Sequence, residues 1–395
     1  MVNFWGPVDE PILNDIKSNN EETKSKKESN IKEKIKTYNE INFVQFQKDN
    51  IWIEHSKLKK LEENKKLSKP KRGRVIFMQH GLDGLRLGGE QHIEFQVMVA
   101  YLTRKGLTGS NGYGYVSLGI VTKRKQTIKD LEGKNIPKIK KGETVLFLNN
   151  NKYDGKSYYD NIHTNSDGSK TTYGLQQFIN ELTLSNNVLI RNEFSSGILS
   201  FSEQLQQYTE IVELFGNFEA DVTFIGHSMG GLASINYSVD YHNNTKKNVD
   251  VITISTPYDN NTLAMISISP AHRELAGFDK MFKGEARENL ESKWNEYDGN
   301  IDLISIGVDV NKYINNSDNI VSLKSQLNLR DEKEIYKNSI KILIEAFGTQ
   351  TIYKLKENKK TKEFELLEDT TIIENHLNTP DLKDVIEVTN KMIIK

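Results

Sequence analysis

Residues 221–231 read Asp221-Val222-Thr223-Phe224-Ile225-Gly226-His227-Ser228-Met229-Gly230-Gly231. The apolar run predicts a buried strand of about five residues. It ends in a turn where Ser228 has glycine at both second neighbours, and a helical segment, Leu232 to Tyr241, follows at once. Strand, sharp turn and helix in that order have the form of a nucleophile elbow, which lifts a serine hydroxyl clear of the sheet edge. Gly226 and Gly230 are required because a Cβ at either would strike the neighbouring strand and helix backbones. The bland alternative is a glycine-rich turn with Ser228 as an N-cap. An elbow calls for further parts at defined places along the chain.

Upstream, Arg74-Val75-Ile76-Phe77-Met78-Gln79 reads as a second buried strand that runs into His80-Gly81-Leu82-Asp83-Gly84. Such a loop brings backbone N–H groups close to a reacting carbonyl. One oxyanion donor is then the amide of Met229, the residue after the serine, and the other is assigned to Leu82. The base and its acid are expected after the serine, in the order acid then histidine. Of the eight histidines, only His242, His272 and His376 follow Ser228. His242 falls near the C-terminal end of the elbow helix, where a histidine is an ordinary dipole partner. His272 falls in an expected cap. His376, in Ile372-Ile373-Glu374-Asn375-His376-Leu377-Asn378-Thr379-Pro380, sits in a loop before the last helix and is the expected general base. His227 occupies the variable position of the elbow and is expected to point away from the reaction. Two carboxylates compete for the acid. Asp318, in Ser317-Asp318-Asn319-Ile320-Val321-Ser322, is favoured; Asp309, at the end of the strand Ile301–Gly307, stays open. A plain Asx-turn is the alternative reading of Asp318.

These motifs resemble the α/β-hydrolase superfamily, nearest to bacterial serine esterases and lipases and to the GPI-inositol-deacylase-like branch. The resemblance is carried by F-M-Q-H-G-L-D-G at 77–84, F-I-G-H-S-M-G-G-L at 224–232, I-T-I-S-T-P-Y at 252–258, S-D-N-I-V-S-L-K-S at 317–325 and N-H-L at 375–377. It spans residues 74–395. It implies an α/β-hydrolase fold, a mostly parallel central sheet flanked by helices, with a cap or lid insertion. The stretch between the first strand motif and the elbow is longer than usual for such enzymes, and the N-terminal portion matches no motif of theirs.

Composition fits one large domain. The chain has 395 residues, 36% hydrophobic and 27% charged, with 53 Lys+Arg against 54 Asp+Glu and a net charge of −1. That balance speaks against a general nucleic-acid surface and against bulk attraction to anionic membranes. There is no cysteine, so disulfides and thiolate metal ligands play no part. No apolar stretch approaches the length needed to cross a bilayer. The N-terminus lacks a basic start followed by a long apolar run, so a cytoplasmic location is expected, with export lacking a recognisable signal as the alternative.

Residues 1–40 read as a polar arm and 41–395 as the catalytic domain, with an insertion over about 105–175 and a cap over about 258–298. Ile31, Ile35, Tyr38 and Ile41 fall at helical spacing, which predicts a helix docking on the body. Ile41–Phe46 and Ile51–Glu54 flank a turn and predict a hairpin at an antiparallel edge. The glycine-rich run Gly106–Gly119 is expected as a loop near the mouth of the site. Residues 163–174 begin with histidine and end with glycine where a calcium loop needs acids, so no metal is expected there. Residues 187–191 read as a strand and 201–216 as the helix before the elbow strand. In the cap, Leu263, Met265, Ile266 and Ile268 would either cover an acyl site or pack on the core.

The expected activity is cleavage of carboxylic esters, acyl lipids foremost, by Ser228, His376 and Asp318 through an acyl-enzyme. The expected substrate is a small-molecule or lipid acyl ester, with transient contact to a lipid surface and no cofactor. Acyl transfer, amide cleavage, or a non-catalytic binding role on the same scaffold are the alternatives.

Overall fold

The computed structural model describes residues 35–38, 40–46, 48–67, 72–81, 95–108, 114–122, 144–149, 157–158, 163–164, 170–171, 173–193, 200–215, 218–259, 285–297, 301–310, 318, 320–357, 360, 364–373 and 376–393. Its strands in chain order begin with β1 (Ile35–Tyr38), β2 (Ile41–Gln45), β3 (Ile51–Glu54), β4 (Val75–Gln79), β5 (Gly114–Thr122) and β6 (Thr144–Asn149). Then come β7 (Ser157–Tyr158), β8 (His163–Thr164), β9 (Lys170–Thr171), β10 (Asn186–Glu193), β11 (Val222–His227) and β12 (Val249–Ile254). The last are β13 (Ile301–Asp309), β14 (Leu329–Arg330), β15 (Lys333–Glu334), β16 (Ser339–Glu345), β17 (Thr349–Glu357) and β18 (Phe364–Ile372).

Twelve of these form one sheet in the order β1-β2-β3-β16-β13-β12-β11-β4-β10-β5-β6-β7. The run from β16 to β5 is parallel throughout, and both flanks are antiparallel. Parallel strands need crossovers, and helices supply them on both faces. This explains why β4, β11 and β12 are buried at every position. Alternate side chains enter two separate cores. Phe77, Val222, Phe224 and Val251 meet the elbow helix (Met229–Thr245), whereas Ile76, Met78, Ile225 and Ile252 meet the helices Gln96–Thr108 and Lys383–Met392. Phe77 and Phe224, paired in register, stack with centroids 5.4 Å apart. Each such side chain contributes about 1.5–3 kcal/mol on burial.

Beneath the sheet, Arg74 spans three strands. It pairs with Asp250 of β12, and donates from Nε to Thr223 Oγ1 at 2.9 Å and from Nη2 to the Val222 carbonyl at 3.1 Å. Burial pushes the Asp250 carboxyl up to about 6, with Arg74 pulling against it.

Two local expectations are corrected. Residues 35–38 form a strand and no helix: β1 pairs antiparallel with β2, from Ile35 opposite Val44 to Tyr38 opposite Ile41. The helical spacing is real, but an open sheet edge offers ladder hydrogen bonds that local propensity does not outweigh. The second correction concerns the glycine-rich run. Its residues 114–119 lie in β5, paired in parallel with β10, and its residues 106–108 end a helix. Tyr115, Val116, Leu118 and Ile120 suit a strand, and the interspersed glycines are carried within it. The hairpin β2–β3 stands as expected, at the antiparallel edge. Cap residues Leu263, Met265, Ile266 and Ile268 lie outside the described residues. The helix Glu285–Glu296 that follows them packs Leu290 and Trp294 into the core. Among the described residues, no helix is long and apolar enough to cross a membrane.

Candidate active site

β11 ends at His227, the elbow helix begins at Met229, and Ser228 alone makes the turn. Its backbone sits at φ 54°, ψ −132°, a region that costs a residue with a side chain about 1–3 kcal/mol. The turn is held by Ser228 N–H donating to the Ile254 carbonyl at 2.9 Å and by Gly231 N–H donating to the Ser228 carbonyl at 3.0 Å. Close packing explains the glycines. A Cβ on Gly226 would stand 2.4 Å from the Gly230 carbonyl oxygen, and one on Gly230 only 2.3 Å from that of His80. The second contact brings the start of the His80-Gly81 loop against the N-terminus of the elbow helix. Gly231 is equally constrained, since its Cβ would lie 2.0 Å from Thr256 Oγ1. The Ser-Thr-Pro turn after β12 and the third elbow glycine thus fit each other.

Asp318 follows β13 and is fully buried. Its two oxygens make separate contacts. Oδ1 accepts from the amides of Val321 at 2.7 Å and Ile320 at 3.1 Å, closing an Asx-turn. Oδ2 meets Nδ1 of His376 at 2.5 Å. Asp309 stands at the end of β13, opposite Glu345 in the β13–β16 register, and the carboxylate on His376 is that of Asp318.

His376 opens the 3-10 turn His376–Asp381 that leads from the ribbon β17–β18 to the last helix. It is 3% exposed, and its ring packs on that of His227 with centroids 4.6 Å apart. The imidazole is therefore seated against the residue that immediately precedes Ser228. The expectation that His227 points away is corrected here: its side chain is wholly buried against His376 and contacts Thr379 Oγ1 through Nε2 at 3.2 Å. His242 lies in the last turn of the elbow helix, as expected, with Nδ1 2.7 Å from the Lys247 carbonyl. Met229 is buried at the first position of that helix, where N–H groups lack intrahelical acceptors and the dipole favours negative charge. Leu82 and His272 lie outside the described residues.

Sequence reasoning passed over Thr379 and the ring contact of His227. The one available signal was the spacing His376-x-x-Thr379 ahead of Pro380, which places a hydroxyl one turn from the imidazole.

Residues 200–364 match the model of a family described as alpha/beta hydrolases of unknown function (DUF915). The match agrees with the sheet order and the elbow, which give the chain an α/β-hydrolase fold. No curated protein matches it. Among solved structures, a gene product of Listeria innocua is similar at 13% identity and a TM-score of 0.41, over 82% of this chain and 94% of its own. Est1E of Butyrivibrio proteoclasticus, solved with ferulic acid bound, is similar at 12% identity and a TM-score of 0.35, over 91% and 99%. The phospholipase PlaB of Legionella pneumophila, solved in complex with thio-NAD, is similar at 9% identity and a TM-score of 0.33, over 75% of this chain and 49% of its own.

Proposed function

We propose that the chain is a serine hydrolase of carboxylic esters, with Ser228 as nucleophile, His376 as general base and Asp318 as the acid that orients it. The 2.5 Å bond between Asp318 and His376, buried beside the elbow, supports this most directly. A carboxylate only accepts, so the shared proton belongs to Nδ1 and Nε2 is the basic nitrogen. In this reaction Nε2 takes the proton of Ser228 as its oxygen attacks the acyl carbonyl. Asp318 then stabilises the imidazolium without accepting its proton. The amides of Met229 and Leu82 receive the oxyanion, each worth about 2.7–4 kcal/mol in the transition state. Collapse expels the alcohol with the proton from His376 and leaves an acyl-enzyme. Water, deprotonated by the same nitrogen, releases the acid.

Acyl lipids are the favoured substrates, on the resemblance set out above and on the apolar composition of residues 263–268. A panel of p-nitrophenyl esters of graded chain length, with a triglyceride and a phospholipid, tests the activity and the class together. Turnover is expected with at least one series, falling about 10⁴-fold or more in Ser228→Ala. Turnover that is the same in both proteins would contradict the assignment. Added alcohol reports on acyl transfer, since ester product would then form beside free acid.

A further inference from the structure

One polar contact at the site joins the elbow to the base loop without using any reacting atom. Thr379 Oγ1 lies 2.8 Å from the carbonyl of His376 and 3.2 Å from Nε2 of His227. Thr379 and His227 are both fully buried, and the rings of His227 and His376 face each other at 4.6 Å. A threonine hydroxyl has one proton and a carbonyl can only accept. With the Thr379 proton donated to the His376 carbonyl, the shorter of the two contacts, the bond to His227 is donated by Nε2–H of that ring. One hydroxyl thus ties the backbone of the base to the residue bonded directly to Ser228.

We infer that Thr379 and His227 form a positioning bridge that sets where the His376 imidazole stands relative to Ser228. This rests on the hydrolase reading above. Three restraints then meet on His376: Asp318 at Nδ1, the Thr379 hydroxyl at its carbonyl, and the His227 ring on its face. Asp318 alone allows the imidazole to pivot about its bond, and the ring contact opposes that pivot. Displacing catalytic groups by about 1 Å costs on the order of 100-fold in rate, so a bridge of this kind acts on kcat.

The experiment uses the full chain, a soluble p-nitrophenyl ester, and the variants Thr379→Val and Thr379→Ser. Valine keeps the shape and removes both hydrogen bonds, whereas serine keeps the hydroxyl. Thr379→Val is expected to lower kcat about 10- to 100-fold with KM nearly unchanged, and Thr379→Ser to restore most of it. Wild-type kcat in folded Thr379→Val would overturn the bridge, as would an equal loss in Thr379→Ser. A second readout needs no variant and no turnover: nitrogen NMR of the native chain reports the His227 tautomer. Protonation at Nε2 is expected, and a neutral ring protonated at Nδ1 would overturn the bridge even if Thr379→Val did not fold. Absent ester turnover in the wild-type chain would overturn the catalytic role along with the hydrolase reading, whereas the tautomer bears on the bridge alone.

Discussion

The two ends of the same parallel strands are built on opposite principles. At the lower end, Arg74 answers buried polar groups of β11 and β12 directly, reaching Asp250, Thr223 and the Val222 carbonyl. At the upper end the backbone is forced into a positive φ at Ser228 and again at Ser255, at 48°. There the sheet and helix approach so closely that three glycines are needed. Asp318 and His376 meet at that end, Oδ2 to Nδ1 at 2.5 Å. One end uses its polar groups for cohesion, and the other holds a strained serine next to a histidine whose ring packs on His376. Changes at the two ends should therefore separate stability from activity.

Gly230→Ala is the change that should damage both properties. Its Cβ would fall 2.3 and 2.4 Å from the carbonyl oxygens of His80 and Gln79, both backbone atoms that cannot swing away. A loss of several kcal/mol in stability is expected, on the order of the larger overpacking costs, together with loss of ester turnover. Thermal melts and kinetics on the soluble fraction would check it. Wild-type values in both would mean that the elbow and the His80 loop are not in contact.

Arg74→Met should affect stability alone. Removing one partner of a buried pair costs about 3–5 kcal/mol at neutral pH, while turnover per folded molecule should hold. The pH dependence follows from the Asp250 carboxyl, which burial raises from 3.8 to about 6. A carboxyl raised on folding contributes stability below its unfolded value, and that contribution drains away as pH rises through the folded value. Without Arg74 nothing pulls the carboxyl down, so the deficit should widen from pH 5 to pH 8 in denaturant titrations. A deficit independent of pH would mean that Asp250 is not what Arg74 answers.

The smallest effect belongs to Ser200→Ala. Ser200 Oγ accepts from Glu203 N–H at 3.1 Å while the Glu203 carboxylate accepts from Ser200 N–H at 2.8 Å, a reciprocal cap on the helix Phe201–Phe215. About 1 kcal/mol of stability should be lost, with kcat unaltered. An equal loss of activity would blur the contrast drawn above.

The parts of the fold legible in the sequence were those fixed locally. Gly226, Gly230 and the apolar residues of β4 and β11 encode strand, turn and backbone approach within a few positions. Asp318 and His376 were legible through chain order after the serine, and their contact at 2.5 Å joins positions that no local pattern links. Residues 35–38 were misread because the helical spacing of Ile35 and Tyr38 is local, whereas the pairing with β2 that decides their conformation is not. The same applies to residues 114–119, whose strand is completed by β10. His227 was misjudged for a related reason: the direction of its side chain depends on a partner ring 149 positions later in the chain (376 − 227).

Covalent labelling tests the central claim most directly. The native chain is treated with a fluorophosphonate, digested, and the modified peptide located by mass spectrometry, in parallel with Asp318→Asn. A single adduct on Ser228 is expected, forming far more slowly in Asp318→Asn, where the imidazole loses the carboxylate that fixes its tautomer. A folded native chain that takes no label, or takes it on any other serine, would contradict the account.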